Sequence, residues 1–128
     1  MELSIPVSPG ELIDKLTILE IKLEHIDDAG KRANVRHEHE LLTAVWVAAG
    51  QENETISRLR AELLEVNQQL WDIEDAIRDC ERAGDFGDRF VTLARSVYLR
   101  NDQRAALKKR INTELGSRIV EEKSYAAY

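Results

Sequence analysis

The 128-residue sequence has few prolines, glycines and cysteines and no long apolar run, and each of these shortages excludes a class of structure. Two prolines and six glycines are too few for the many turns of an all-β domain. The single cysteine, Cys80, excludes an internal disulfide and suits a reducing compartment. The longest uncharged apolar run, residues 41–50, is far shorter than the roughly 20 residues that cross a bilayer. Because residues 1–12 also lack a basic leader and an apolar stretch, we expect a soluble, cytoplasmic chain without a membrane partner.

The signature motifs of common enzyme classes are missing as well. The sequence contains no Walker A, GxGxxG, GxSxG, CxxC or HExxH motif. His37 and His39 lie two residues apart on a predicted helix, whereas helical metal-binding pairs lie three or four apart. We therefore predict no catalytic residues, no metal site and no cofactor.

The residues that are abundant indicate a helical domain. The sequence is 43% hydrophobic and 33% charged, and its apolar residues recur at helical spacing. A chain of this length buries roughly two-thirds of its unfolded surface, which suffices for one core. We expect residues 1–128 to form a single helical domain.

The first predicted helix begins at a capping box. Ser8 lies at the N-cap, Pro9 at the first helical position and Glu11 at the third. Asp27, Asp28 and Gly30 are expected to end it. The helix has apolar residues on two sides, which predicts neighbours on both. Its main stripe consists of Leu12, Leu16, Leu19, Leu23 and Ile26.

Two further helices are predicted over about 31–49 and about 53–83. The second of these has the longest apolar seam, with heptad spacing. Some thirty residues would make a rod of about 45 Å, longer than a compact globule of this size. We therefore expect an all-α, elongated antiparallel bundle of four to five helices, assembled as a homodimer through helix 1 and the long third helix. The seam consists of Ile56, Leu59, Leu63, Val66, Leu70, Ile73, Ile77 and Cys80.

The remaining residues predict two shorter helices and an arm. A fourth helix is expected over 86–98, and Asn101 with Asp102 offers a cap for a fifth helix that ends at Gly116. Residues 118–128 are expected to form a C-terminal arm that packs in extended form, beside residues 3–7.

Charge is distributed unevenly along the chain. Residues 1–84 carry 9 basic and 18 acidic side chains, whereas residues 85–128 carry 9 basic and 6 acidic ones. A broadly basic surface, which nucleic acid requires, is not expected. We predict no nucleic-acid partner and instead an attraction between the acidic long helix and the basic C-terminal part, within or between subunits.

Arg104 is the most informative single residue. On a helical wheel it falls between Ile111 and Leu115, on the apolar side, where a charge needs a partner or a wet cavity. A structural ion-pair network would give it a partner. The candidate partners are Glu74, Asp75 and Asp14.

A functional hypothesis uses some of the same residues. Lys15, Arg104 and Lys108 could hold a phosphate or a carboxylate in an inter-helix pocket, with Glu74 as a polar partner. The sequence is compatible with both hypotheses, the structural ion-pair network and the anion pocket.

Four segments, taken together, carry a resemblance over nearly the whole length: SPGELIDKLTILEIK, VNQQLWDIEDAIR, FVTLARSVYLRNDQRAALKKRIN and GSRIVEEKSY. On these segments the sequence resembles a family of small bacterial proteins classed only as a domain of unknown function. The resemblance implies no catalytic residues. In the family that it resembles, similar segments are joined to repeat or glycosyltransferase-type modules, which implies surface-carbohydrate or metabolic gene neighbourhoods.

The leading functional hypothesis is a non-enzymatic interaction or scaffold module in the bacterial cytoplasm, a homodimer with a second protein as a further candidate partner. The alternative is binding or turnover of a small anionic metabolite in the Arg/Lys-lined pocket. Sugar phosphates, sugar nucleotides and dicarboxylates are the candidate ligands.

Overall fold

The computed structural model describes all 128 residues, and its regular structure is entirely helical, with no strands. The four helices are α1 (Pro9–His25), α2 (Ala29–Ala49), α3 (Glu54–Ala83) and α4 (Asp88–Glu114). None of them combines the length and the hydropathy that a membrane span needs.

Helix α1 occupies the centre of the fold and packs against each of the other three helices. It begins as the capping pattern predicts, since the Ser8 hydroxyl accepts a hydrogen bond from the backbone N–H of Glu11 at 3.2 Å and Pro9 is the first helical residue. Leu19 and Ile21 are both buried, and since they are two residues apart they lie on opposite sides of the helix. Both apolar sides of α1 are thus covered by other helices, as the sequence predicts.

Helices α3 and α4 form a long hairpin. Gly84 ends α3 in a left-handed conformation, with a φ of 66°, where a side chain would strain the backbone. Next to this turn the Arg89 guanidinium lies 3.4 Å from the Cys80 sulfur, and far from it Glu62 and Arg110 lie 3.7 Å apart. The two helices therefore stay paired along their length.

The hydrophobic core lies at the open end of this hairpin, which we call the base: residues 54–69 of α3 and 101–114 of α4, with α1 packed on them. The distal half consists of residues 70–83 and 88–100, which lie towards the turn. The core residues are Leu12, Ile13, Leu16, Trp46, Ile56, Leu59, Leu63, Val66, Leu107 and Ile111.

The predicted break between a fourth and a fifth helix is wrong. Asn101 and Asp102 lie inside α4, which is continuous from Asp88 to Glu114 and contains neither glycine nor proline. Asn or Asp in a helix interior costs only about 0.7 kcal/mol relative to alanine, which continuous packing against α3 outweighs. The fold therefore has four helices.

Helix α2 begins slightly earlier than the sequence predicts. Asp28 is its N-cap, and the Asp28 carboxylate accepts a hydrogen bond from the backbone N–H of Lys31 at 2.8 Å. Gly30, expected near the end of the first helix, is instead helical within α2. At the level of the backbone α2 packs only against α1, although Trp46 reaches the core.

Residues 118–128 have no regular structure and run along α4 as an arm. Glu121 lies 2.9 Å from the Lys108 ammonium, and the Tyr128 hydroxyl donates a hydrogen bond to Asp102. The first residues of the chain contact a different helix, since Glu2 lies 3.7 Å from His37 of α2.

Candidate functional site

A buried polar network joins α1, α3 and α4. Its centre is Asp14, which is only 1% exposed. The Asp14 carboxylate accepts hydrogen bonds from Nε of Arg104 at 2.9 Å and from Nη2 at 2.5 Å, a bidentate pair. Nδ2 of Asn67 donates to Asp14 Oδ1 and to Thr17 Oγ1, both at 2.9 Å. The buried charge is therefore fully paired and hydrogen-bonded, as burial requires.

The contact with Asp14 favours the charged form of Arg104. The hydrogen bond to Asp14 is the main cause that raises the pKa of Arg104, against the opposing effect of burial. The Arg104 side chain stays 30% exposed, and its Nη1 group makes no hydrogen bond within the chain. Of the three partners expected from the sequence, the fold selects Asp14.

Lys108 belongs to a second network one turn further along α4. Its ammonium lies 2.7 Å from Glu11 of α1 and 2.9 Å from Glu121 of the arm. Burial alone would lower the pKa of Lys108, but the hydrogen bonds to the two carboxylates reverse this and raise it. The same contact lowers the pKa of Glu121. Lys108 thus ties α1 and the arm to α4.

Backbone contact fixes the start of α1 on α4. The backbone N–H of Gly10 donates to Oδ1 of Asn112 at 2.7 Å. A β-carbon at Gly10 would lie 2.5 Å from the carbonyl oxygen of Lys108, so this close approach requires glycine. The position of Asp14, one turn further, follows from this contact.

An open groove of about 510 Å³ lies where α1 ends and the distal half of the hairpin begins. Its floor is apolar and its rim carries acidic, basic and amide side chains. We call it the Trp71 groove. Its lining residues are Ile18, Ile21, Asn67, Leu70, Trp71, Glu74, Asp75, Arg78, Asn101 and Arg104.

Several groups in the groove are already bound to each other. The Arg78 guanidinium lies 2.6 Å from the Glu74 carboxylate. The His25 imidazole stacks on the Trp71 indole, with ring centroids 5.1 Å apart and an angle of 24° between the planes. Asp75 makes no ion pair within the chain.

The fold does not gather the residues predicted for an anion pocket. Glu74 and Arg104 both line the Trp71 groove. Lys108 lines a separate cavity of about 190 Å³ beneath the arm. Lys15 is exposed and makes no ion pair. One basic residue of the predicted three therefore faces the groove.

Sequence reasoning singled out Asn67 as a polar position of the family resemblance but predicted no partner for it. Asn67 is 6% exposed, follows the seam residue Val66 and links α3 to α1. The available signal was an amide next to a heptad seam, since a buried polar side chain needs partners. No three His, Cys, Asp or Glu side chains converge so that they could hold a metal ion.

Comparison with known proteins places the chain in a family. A family model described as "Family of unknown function (DUF6165)" matches residues 3–128. No curated protein matches the chain. No solved structure matches it either. The match agrees with the resemblance to a family of unknown function that the sequence carries.

Proposed function

The chain belongs to the DUF6165 family of unknown function, and we propose that it is a non-enzymatic interaction module that works as a homodimer in the bacterial cytoplasm. The observation that carries this proposal is a contrast between two kinds of side chain. The charged groups between the helices are bound to one another, whereas several apolar side chains on outer faces are exposed. The single cysteine, which suits a reducing compartment, supports the location.

The paired charges hold the helices together, so few of these groups are available to act on a substrate. Arg104 uses two of its groups on Asp14, and Lys108 lies between two carboxylates. Acid–base or nucleophilic chemistry needs a group whose proton or lone pair is available to a substrate. These residues are instead satisfied by α1 and the arm, which favours a structural role for them.

The outer face of α2 is apolar and uncovered. Leu41 and Val45 are 41% and 54% exposed, and Ala48 continues their 4-3 spacing. The inner face of α2, which carries Trp46, packs on the rest of the chain. A second apolar stripe of this kind is typical of a helix that contacts a partner.

Helix α4 has a similar stripe in the distal half of the hairpin. Val91 and Tyr98 lie seven residues apart, on one side of the helix, and both are about half exposed. No third helix covers them, although Tyr98 packs edge-on against Tyr128 of the arm, with ring centroids 5.5 Å apart. Because α1 lies inside the chain, we place the dimer contacts on α2 and on this part of the hairpin.

Charge complementarity favours a second copy as the partner. Helix α3 carries eight acidic and four basic side chains, whereas α4 carries seven basic and three acidic ones. Only Glu62 and Arg110 pair across the hairpin, and Arg95, Arg100 and Asp72 make no ion pair within the chain. A two-fold dimer presents the acidic helix of each copy to the basic helix of the other.

Sedimentation velocity over a hundredfold range of concentration tests the proposal. We expect a dimer for the wild-type chain, and weaker association for Val45→Lys and Val91→Lys. Gln51→Lys is the matched control, because it adds the same charge at an exposed position between α2 and α3, outside the apolar stripes and outside α4. Circular dichroism checks that all three variants fold. A chain that stays monomeric at every concentration overturns the proposal.

The alternative function is binding of an anionic metabolite at Arg104. The free Nη1 group of Arg104 in the Trp71 groove is the observation in its favour. A thermal-shift panel of sugar phosphates, sugar nucleotides and dicarboxylates tests it, since a ligand at 100 times its Kd adds about 2.7 kcal/mol of stability. A hit that Arg104→Gln abolishes would replace the interaction module by this function.

A further inference from the structure

The Trp71 groove, taken together with the Asp14 carboxylate behind it, carries a net negative charge. Glu74 and Asp75 line the groove with two carboxylates and Arg78 and Arg104 line it with two guanidinium groups, but Arg104 is bound to Asp14, a third carboxylate that does not itself line the groove. Arg104 is paired with Asp14 and Arg78 with Glu74, so only Asp75 is left without an opposite charge. The unpaired carboxylate would repel an anion that entered the groove, whereas a single positive charge would neutralise it.

The groove also offers an unused hydrogen-bond acceptor. Nδ2 of Asn67 donates to Asp14 and to Thr17, which fixes the orientation of the amide. Oδ1 of Asn67 accepts no hydrogen bond within the chain, although the residue is more than nine-tenths buried and lines the groove. An acceptor held in this way fits a ligand that brings donors, and ammonium and guanidinium groups have donors only.

An aromatic side chain completes the arrangement. Trp71 precedes Asp75 by one helical turn, so the two side chains lie on the same side of α3. His25 stacks on one face of the indole, and the part of Trp71 that lines the groove remains for a ligand. A tryptophan next to a carboxylate attracts a cation through both the ring and the charge.

We propose that the Trp71 groove binds the cationic end of an aliphatic amine or guanidine. The positive charge lies against Asp75 and Trp71, and an N–H group donates to Oδ1 of Asn67. A groove of about 510 Å³ accommodates such a group together with its aliphatic stem. The source is a free small amine or a lysine or arginine side chain of a partner. The proposal goes beyond the interaction module and does not depend on whether the chain forms a dimer.

Titration of the full ¹⁵N-labelled chain, followed by NMR, tests the site. The two tryptophans give two indole N–H signals, and Trp46, which is buried and hydrogen-bonded to Glu52 at 2.7 Å, serves as the internal reference. Butylammonium and methylguanidinium are expected to shift the Trp71 signal in a saturable manner and to leave the Trp46 signal in place. Butanol and butyrate are expected to shift neither.

Asp75→Asn removes the unpaired charge and keeps the shape of the side chain. We expect it to weaken binding of both cations by about twofold to fivefold, the effect of losing one exposed ion pair. Asp79→Asn is the matched control, since Asp79 lies one turn further along α3, outside the groove, and contacts Arg82. Its affinity for the cations should equal that of the wild type.

A comparison of butylammonium with an acetylated lysine amide separates the two sources. Tighter binding of the lysine amide identifies a protein side chain, and equal or weaker binding identifies a small amine. The proposal is wrong if the cations cause no saturable shift of the Trp71 signal, if butyrate shifts it as strongly as they do, or if Asp75→Asn leaves the affinity unchanged. None of these results bears on the oligomeric state, so the proposed function stands or fails separately.

Discussion

The base and the distal half of the hairpin are built from the same two helices, yet only the base contains a core. Ile56 and Ile77 lie three heptads apart on the same seam of α3, and Ile56 is fully buried whereas Ile77 is half-buried. The difference arises because α1 packs on the base and ends beside Trp71, at the start of the distal half. Heptad spacing thus determines which side chains face the seam, and a third helix completes the burial of the large ones, whereas the small Cys80 near the turn is fully buried without it.

The two regions also differ in how they hold charge. The base contains Asp14 and Lys108 in buried or nearly buried networks that connect three elements. The distal half contains the exposed pairs Arg78 with Glu74 and Arg82 with Asp79, each within α3. Exposed pairs of this kind contribute little to stability. The base should therefore carry most of the free energy of unfolding, and the hairpin turn should open first.

The largest expected effect comes from truncation of the seam. Ile56→Ala should reduce the free energy of unfolding by about 4 kcal/mol, because it creates a cavity in the core. Ile77→Ala makes the same chemical change and should cost only about 1 kcal/mol, since Ile77 is itself only half-buried. Urea denaturation of both variants measures the difference. Equal losses would show that the distal half is as well packed as the base.

Loss of the buried charge at Asp14 comes next. Asp14→Asn leaves Arg104 without its carboxylate and should cost about 3 kcal/mol, as removal of one partner of a buried pair does. Asp72→Asn, an exposed position in the distal half, should change the free energy of unfolding by less than about 0.5 kcal/mol. Urea denaturation applies here too, and a loss for Asp14→Asn no larger than that for Asp72→Asn contradicts the network.

Two helical glycines provide a further comparison. Gly10→Ala should destabilise the chain by about 2 kcal/mol, because the new methyl group would overlap the carbonyl oxygen of Lys108. Gly30→Ala has only Asp28 nearby, at 3.4 Å, and should stabilise it by about 0.5 kcal/mol. Thermal unfolding should therefore shift in opposite directions, and a rise in Tm for Gly10→Ala would contradict the close approach of α1 to α4.

The smallest effect concerns the arm and its pH dependence. The hydrogen bond to Lys108 lowers the pKa of Glu121, so this contribution to stability is present above the ordinary value of 4.5 and is lost as pH falls through the lowered pKa. Since Glu121 is half exposed, Glu121→Gln should cost less than about 0.5 kcal/mol at neutral pH and nothing at low pH. Glu122→Gln should match the wild type in urea denaturation at both pH values. A difference between Glu121→Gln and the wild type that persists in acid would show that this ion pair is not its cause.

Much of the secondary structure could be predicted, since its signals lie within a few residues of each other. The cap at Ser8 and the ends of α3 at Asn53 and Gly84 appear where the sequence places them. The break predicted at Asn101 and Asp102 is the exception. A cap residue acts only where the backbone leaves the helix, and packing on α3 keeps α4 continuous there.

The candidate site was less predictable than the helices. The position of Arg104 on an apolar face indicated a need for a partner, and Asp14 was one of three candidates. Lys15 and Lys108 were grouped with it by sequence, yet one is exposed and the other contacts Glu121 of the arm. Spacing along a helix gives the side on which a residue lies, but it does not give the neighbour on that side.

The sequence by itself determined the helical class, the start of α1 and the length of α3, because capping and periodicity act over one or two turns. Tertiary structure decided which charges pair, which part of the seam is buried and where the Trp71 groove opens. Asp14 and Arg104 are 90 residues apart in the chain, and no local pattern relates them. They meet because Gly10 lets α1 approach α4 closely, and that approach exists only in the folded chain.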